Sequence, residues 1–458
     1  MVVMGMRRSR VVLALLLLVA CGACGDNERP DCGDAPATCR AACGYSAGDR
    51  ASLTLRDYPT GAAIPLDHLV FVMQENRTFD HYFSELTVPG QTVDGASPTA
   101  TNPDPLNPGQ TISRFHQTAY CFDDPAESWD QVHRELDGGA LDAFTTVNAE
   151  DDPDGDPSGA RTLGYYDESD LPYYYALARA FAISDRHFSS VLANTWTNRL
   201  YYMAGTSFGV TTNTFPPDQQ DAQGNLTPNL FTRLNDAHVS LAFYVQDLPT
   251  LAILFATWAK SSSHVLPYAQ FFTDAAAGTL PSVTFVEGTD MAGGASPDED
   301  PPADMQVGQQ MVAQIVAAVT SSPLWPHAAL FLSYDEQGGL YDHVVPPPAC
   351  IPDDIPPSLA AGDVVAPFDQ YGLRVPLMVV SPYAKRGYVS HVVTDHTSLL
   401  RFVEARFGLP ALTHRDANAV PTFDMFDFGT PDLTVPALPD AAVDPAQAAT
   451  CAAMYPGA

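Results

Sequence analysis

Two stretches of the chain pair a short apolar run with adjacent ligand-type side chains. Val70-Phe71-Val72-Met73 leads through Gln74 into Glu75-Asn76, and Ala329-Leu330-Phe331-Leu332-Ser333-Tyr334 leads into Asp335-Glu336 and then Gly338-Gly339. Both apolar runs have the length and the β-branched and aromatic content of buried strands. Ligands of open α/β sheets gather at the carboxyl ends of strands, which is where these polar pairs fall. Adjacent acids directly after a buried strand must be satisfied, and a cation is the simplest way. An all-oxygen donor set favours a hard divalent ion over a thiolate-type zinc site. The plainer alternative is a strand running into a polar turn, with Glu75 and Asn76 only capping the next segment. A third stretch, Asn194-Thr195-Trp196-Thr197-Asn198-Arg199, opens a helical pattern continued by Leu200, Met203 and Ala204. Free N–H groups at such a helix start would face a bound phosphate. Thr195 fits that place or a simple N-cap, and Arg199 either contacts phosphate or pairs with a carboxylate.

The elements needed to hold these groups are legible in outline. Ser240 to Val245, Ser282 to Val286, Ala328 to Tyr334 and Val375 to Val380 read as further strands. Leu171 to Ile183, Gly308 to Val319 and Thr397 to Phe407 have helical spacing. Strands alternating with helices argue for an α/β protein, an α/β/α sandwich with a mostly parallel central sheet. Val88 to Pro108 reads as a surface excursion, Glu150 to Asp156 as a solvated acidic loop, and the chain after Pro410 as a tail over the surface.

The wording of the blocks adds a family. Glu75 to Phe83 resembles the E-N-R-S/T-F-D-H-Y-F signature of the bacterial phosphoesterases that include phosphatidylcholine-type phospholipases C and related acid phosphatases, in the alkaline-phosphatase-like superfamily. Asn194 to Thr206 is similar to the block G-P-S/T-x-P-N-R-L-Y-x-x-S/T-G-T, although Asn194 and Thr197 stand where prolines are usual. Asp335 to Val344 resembles D-D/E-x-G-G-x-x-D-H-V, and Gly372 to Pro376, Ser381-Pro382 and Asp395 to Ser398 resemble the closing pattern. The resemblance runs in order from about residue 64 to 410. It implies one divalent metal ion of unknown identity, ligated by Glu75, Asn76, Thr195, Asp335 and Glu336, with Thr195 as nucleophile. It also implies roles for Arg199 and His133 toward phosphate, for His343 as proton donor or support, and for His396 in shaping the pocket or capping the last helix.

Two departures stand out. The block H-D-W-x-x-x-H keeps only its second histidine, His133, and Asp300 replaces the histidine of E-H-P-P-x-D. The activity implied is phosphate ester hydrolysis, phospholipase C-like, through a phosphothreonine. Acid phosphatase action on monoesters and a non-catalytic surface lipoprotein of the same fold are the alternatives.

Composition bounds the partners. A formal net charge of -32 over 458 residues repels nucleic acid and disfavours docking on anionic lipid through basic patches. A phosphate ester substrate, which could be a phospholipid, is the expected partner. Arg7, Arg8 and Arg10 precede an apolar stretch, Val11 to Ala20, in the manner of a secretory signal. Leu18-Val19-Ala20-Cys21 resembles a lipobox, so export is expected, with Cys21 carrying a lipid that anchors the chain to a membrane, or with ordinary cleavage nearby. The expected organisation is a signal peptide over 1–20, a tether and Cys-rich lead-in over 21–60, a catalytic domain over 61–430 and a tail over 431–458. Export permits disulfides, and the clustered Cys32, Cys39 and Cys43 suggest a local staple.

Overall fold

The computed structural model describes residues 35–216, 229–255, 263–289 and 291–457. The signal-like segment, the lipobox with Cys21, and Cys32 lie outside the described residues. One sheet of eight strands organises the chain. In chain order they are β1 (His68–Gln74), β2 (Ala182–Ser184), β3 (Leu241–Val245), β4 (Val265–Pro267), β5 (Val283–Glu287), β6 (Ala328–Tyr334), β7 (Leu377–Val380) and β8 (Tyr388–Ser390). Their spatial order is β8-β2-β7-β6-β1-β5-β3-β4. All neighbours pair in parallel except β7, which runs antiparallel to both β6 and β2. The helices used below are α1 (Phe79–Phe83), α2 (Trp129–Leu136), α3 (Pro172–Ala180), α4 (Thr195–Ala204), α5 (Met305–Ser321), α6 (His396–Phe407) and α7 (Pro445–Met454). No helix among the described residues is long and apolar enough to cross a membrane.

Side chains alternate between the two faces of a strand, and this places helices on both. On one face Phe331, Phe71, Phe285 and Phe243 lie in register on β6, β1, β5 and β3, with successive ring centroids 5.0, 5.3 and 4.8 Å apart. Tyr202 of α4 and Phe402 of α6 close over that row. On the other face Tyr334 packs against Tyr82 of α1, and Glu299 binds the hydroxyls of both Tyr334 and Tyr174 of α3. The α/β/α sandwich with a mostly parallel sheet is therefore the observed fold.

Several expectations change. The helix expected over Leu171 to Ile183 ends at Ala180, and Ala182–Ser184 forms β2 instead. Pairing with β7 and β8 there outweighs the apolar helical spacing. Strands β4 and β8 sit at the sheet edges and are only three residues long, too short for a periodic signal. Of the clustered cysteines, Cys43 bonds distant Cys350, while Cys39 is also disulfide-bonded and Cys32 lies outside the described residues; Cys121 bonds Cys451 in α7. The Cys43–Cys350 and Cys121–Cys451 bonds each close a loop of more than three hundred residues, which spacing along the chain does not reveal.

Candidate functional site

Parallel pairing in register delivers the two acid pairs to one place. Met73 pairs with Ser333 and Gln74 with Tyr334, so Glu75 and Asp335 leave the sheet side by side. The Asp335 N–H donates to the Gln74 carbonyl at 3.1 Å, extending the pairing one residue beyond the strands. Alternation then sends Glu75 and Asp335 toward the α4 face and Asn76 and Glu336 toward the other.

On the α4 side the guanidinium of Arg199 bridges the acids. Its Nε donates to Asp335 Oδ2 at 3.0 Å, its Nη2 bonds Glu75 Oε1, and its Nη1 lies 3.9 Å from Glu287 Oε2 at the end of β5. All four groups are buried. Burial opposes the charge on Arg199, but the three carboxylates win and hold it protonated. Thr195 is the first residue of α4, one helical turn before Arg199 and so on the same face. Its side chain forms no hydrogen bond within the described residues, whereas the neighbouring Trp196 N–H is bound to Asn213 Oδ1. The hydroxyl thus stands at the positive end of a helix, one turn from the Arg199 that binds the strand-end acids.

On the other side the chain turns sharply. Asn76 has a φ of 60°, a left-handed conformation that asparagine tolerates better than most residues. Its N–H donates to Asp335 Oδ1 at 3.3 Å. Gly338 is required by the same approach, because a Cβ there would sit 2.6 Å from the Cβ of Asn76. Gly339 packs likewise onto the backbone of Ala126, which brings Glu127 to the site. Asn76 Nδ2 donates to Glu127 Oε2 at 2.9 Å and also to Asp300 Oδ1. Only the amino end of the amide can serve two carboxylates, so Oδ1 is left over, buried and without a partner. Glu336 Oε2 accepts the Gly338 N–H at 2.8 Å, while its Oε1 is buried and also unpartnered. Burial, followed by mutual repulsion among the neighbouring acids, pushes Glu127, Asp300 and Glu336 well above the ordinary carboxylate range.

These observations fit a bound cation. Carboxylates crowd together, two buried oxygen atoms lack donors, and every nearby ligand atom is a hard oxygen. Of the residues expected from the sequence, Glu75, Asn76, Arg199, Asp335 and Glu336 come together, with Thr195 on the adjoining helix start.

The histidines are placed differently. The His133 ring lies tilted against that of Trp129 with centroids 4.3 Å apart, and its Nδ1 donates to the Trp129 carbonyl at 2.7 Å. Burial lowers its pKa. It borders a small surface pocket with Arg134, Ala143 and Val364 and contacts none of the acids above. His343 belongs to a second cluster farther along the same two loops. There Asp80 Oδ2 accepts its Nδ1–H at 2.6 Å and its backbone N–H at 2.8 Å, and Arg374 binds both Asp80 and Asp342. His396 opens α6 and donates Nε2–H to the Tyr334 carbonyl at 2.9 Å, bracing the end of β6.

Glu127, Asp300 as a partner of Asn76, and Glu287 are not among the site members expected from the sequence. Two signals point to them: Asp300 is visible as a substitution, and Glu127 immediately precedes Ser128-Trp129, where the H-D-W block has its first histidine. Glu287 ends a five-residue strand in an acid and carries no motif of its own.

The phosphoesterase family pattern matches residues 66–410. Non-specific phospholipase C6 of Arabidopsis thaliana is 31% identical over 383 residues, covering 79% of this chain and 72% of the relative. Phospholipase C B of Mycobacterium tuberculosis is 30% identical over 422 residues, covering 81% of this chain and 79% of the relative. Among solved structures, a protein in the alkaline phosphatase superfamily from Vibrio parahaemolyticus aligns with a TM-score of 0.37 at 9% identity, covering 81% of this chain and 71% of that one. A phosphonate monoester hydrolase of Agrobacterium radiobacter aligns with a TM-score of 0.37 at 9% identity, over 80% and 78% of the two chains. Likeness at that level carries no argument about the site.

Proposed function

The chain belongs to the phosphoesterase family and is a hydrolase of phosphate esters, and from that premise we propose that it is an exported phospholipase C-like enzyme that works through Thr195. The observation that carries this reading is the placing of Thr195 at the start of α4, one turn from an Arg199 that locks Glu75 and Asp335 together. Glu75, Asn76, Thr195, Asp335 and Glu336 would hold one divalent cation, which when bound lowers the cost of ionising a hydroxyl and offsets charge on phosphate.

Thr195 Oγ attacks phosphorus in line as the phosphorus–alkoxide bond breaks; its proton passes to solvent and the alkoxide takes one up to leave as the alcohol, and a phosphothreonine remains. Water then breaks the Thr195–phosphorus bond and regenerates the hydroxyl. Arg199 orients Glu75 and Asp335, and the α4 N-terminus faces the phosphate with its positive end. The phospholipase C names of the relatives favour a phosphodiester, including a phospholipid, over a monoester. Export rests on the signal-like N-terminus, with a lipid on Cys21 as the anchored form. The disulfides Cys43–Cys350 and Cys121–Cys451 support an oxidising compartment.

The test is hydrolysis of p-nitrophenylphosphorylcholine and p-nitrophenyl phosphate by the wild type and Thr195→Ala, each with and without chelator. We expect preference for the diester, loss of activity on chelation, and a fall in kcat on the order of a thousandfold or more in the variant. Thr195→Ala turning over at the wild-type rate would sink the nucleophile assignment.

A further inference from the structure

The family pattern ends at residue 410, yet the chain beyond it returns to the site. Helix α7 has ten residues, of which Cys451 is the one that is buried. A helix this short that buries so little does not hold itself in place. Other contacts hold it, and they join two segments of the chain. Cys451 is bonded to Cys121, and Gln447 Nε2 donates to the Thr118 carbonyl at 2.9 Å. On the other side the Gly294 N–H donates to the Tyr455 carbonyl at 2.8 Å, Gly293 bridges to Pro456, and the Asp444 N–H donates to Gln306 Oε1 at 2.8 Å. The fit is close: a Cβ on Gly294 would sit 2.3 Å from the Cys451 carbonyl oxygen.

The segments joined in this way carry the two carboxylates that share Asn76 Nδ2. Cys121 lies six residues before Glu127, and Gly294 lies six residues before Asp300. Neither stretch contains a helix or strand. Each is also tied nearer the site, where the Asp298 carbonyl accepts the Glu75 N–H at 2.8 Å and the Ala126 N–H donates to Asn148 Oδ1 at 2.8 Å. The tail supplies the outer anchor for both. Two acceptors on one amino group need both backbones held, because a shift of about 1 Å breaks a hydrogen bond. While both bonds stand, Nδ2 stays turned to the carboxylates and Oδ1 stays free of them.

We propose that α7 and the Cys121–Cys451 bond form a clamp on the site, and that Glu127 and Asp300 are the positioning residues through which it acts. Held together by the clamp, they fix the Asn76 amide with Oδ1 presented to the cation, as the outer partners of a metal ligand do. This rests on the cation reading above. It gives the chain beyond residue 410 a task at the site, although none of its residues reaches the strand-end acids.

The test is hydrogen exchange of the full chain, read by mass spectrometry on peptides covering residues 122–128 and 293–300, with Mn²⁺ titration of the metal-free chain by calorimetry. Two cysteine pairs are compared. Cys43–Cys350 and Cys121–Cys451 join residues 307 and 330 positions apart, so losing either costs similar chain entropy. Cys121→Ala/Cys451→Ala should speed exchange in both peptides about tenfold or more and weaken Mn²⁺ binding about tenfold or more. Cys43→Ala/Cys350→Ala should leave both quantities within about twofold of the wild type. Gly294→Ala wedges the tail away with both bonds intact and should move exchange and affinity in the same direction; it carries the test if the first variant does not fold. Equal effects of the two cysteine pairs, or wild-type exchange and affinity in Gly294→Ala, overturn the proposal. Faster exchange without weaker Mn²⁺ binding overturns it as well. A wild type that takes up no Mn²⁺ removes the cation reading instead, and the exchange rates then decide the clamp.

Discussion

Two clusters of acids lie along the same pair of loops, and they are built to opposite plans. At Asp80 and Asp342, every charge is matched. Arg374 binds both carboxylates, His343 binds Asp80 through ring and backbone, and Asp80 also accepts the Ala96 N–H at 2.8 Å. Burial works to raise the pKa of Asp80, but Arg374 and His343 outweigh it and hold it at about 2. At Asn76 and Glu336, a few residues nearer the sheet, acids outnumber bases, two oxygens lack donors, and the carboxyls are pushed up. Asp80, Asp342 and His343 have the mutual spacing of metal ligands, yet a guanidinium already fills their centre. Proximity of acids therefore does not by itself mark the ligand site here; the buried, donorless oxygens of Asn76 and Glu336 do.

The contrast can be broken from either side. The largest effect should come from Arg374→Met, which leaves Asp80 and Asp342 buried without their cation. Removing one partner of such a set costs about 3–5 kcal/mol, and urea unfolding of the variant should show a loss of that order. A loss below roughly 1 kcal/mol would mean that the cluster is not charge-matched in the way described.

Acid titration gives the next effect. The folded pKa of Asp80, about 2, lies below its ordinary value of 3.8. Its ionised form therefore stabilises the fold above pH 3.8, and that contribution is lost as pH falls from 3.8 toward 2. The amount is about 2 kcal/mol. Unfolding midpoints of the wild type should drop across that window, and those of Asp80→Asn should drop less.

The smallest effect has the opposite sign. In chelator, Asp300→Asn should raise the melting temperature, by about 1 kcal/mol of stability, because it removes a charge from a cluster that lacks cations. Asp80→Asn under the same conditions should lower it. A fall in both variants would show that the cleft is not short of positive charge in the absence of metal.

Much of this is legible in contiguous residues. An apolar strand that stops at Glu75-Asn76 or at Asp335-Glu336 declares both its burial and its unmet charge within a dozen positions. The four strands read over Ser240 to Val245, Ser282 to Val286, Ala328 to Tyr334 and Val375 to Val380 lie within a few residues of their observed bounds. Where neighbours in space are not neighbours in sequence, the same reasoning has nothing to work on. His133 has the block around it, yet its ring is spent on Trp129, while Glu127 reaches Asn76.

What the amino-acid order determined by itself is local: the buried strands, the polar groups at their ends, the helix that Thr195 opens, and the charged N-terminus. Parallel register decided that Glu75 and Asp335 meet. Gly338 and Gly339 let three chain segments approach within contact of one another, and only that approach set Glu127 and Asp300 on one amide, 173 positions apart in the chain. The Cys43–Cys350 and Cys121–Cys451 bonds belong to the same class. The physical reason is common to all of them. Secondary structure arises from interactions within a few residues, whereas a shared counter-charge or a sulfur bridge depends on distances that exist only after the chain has folded.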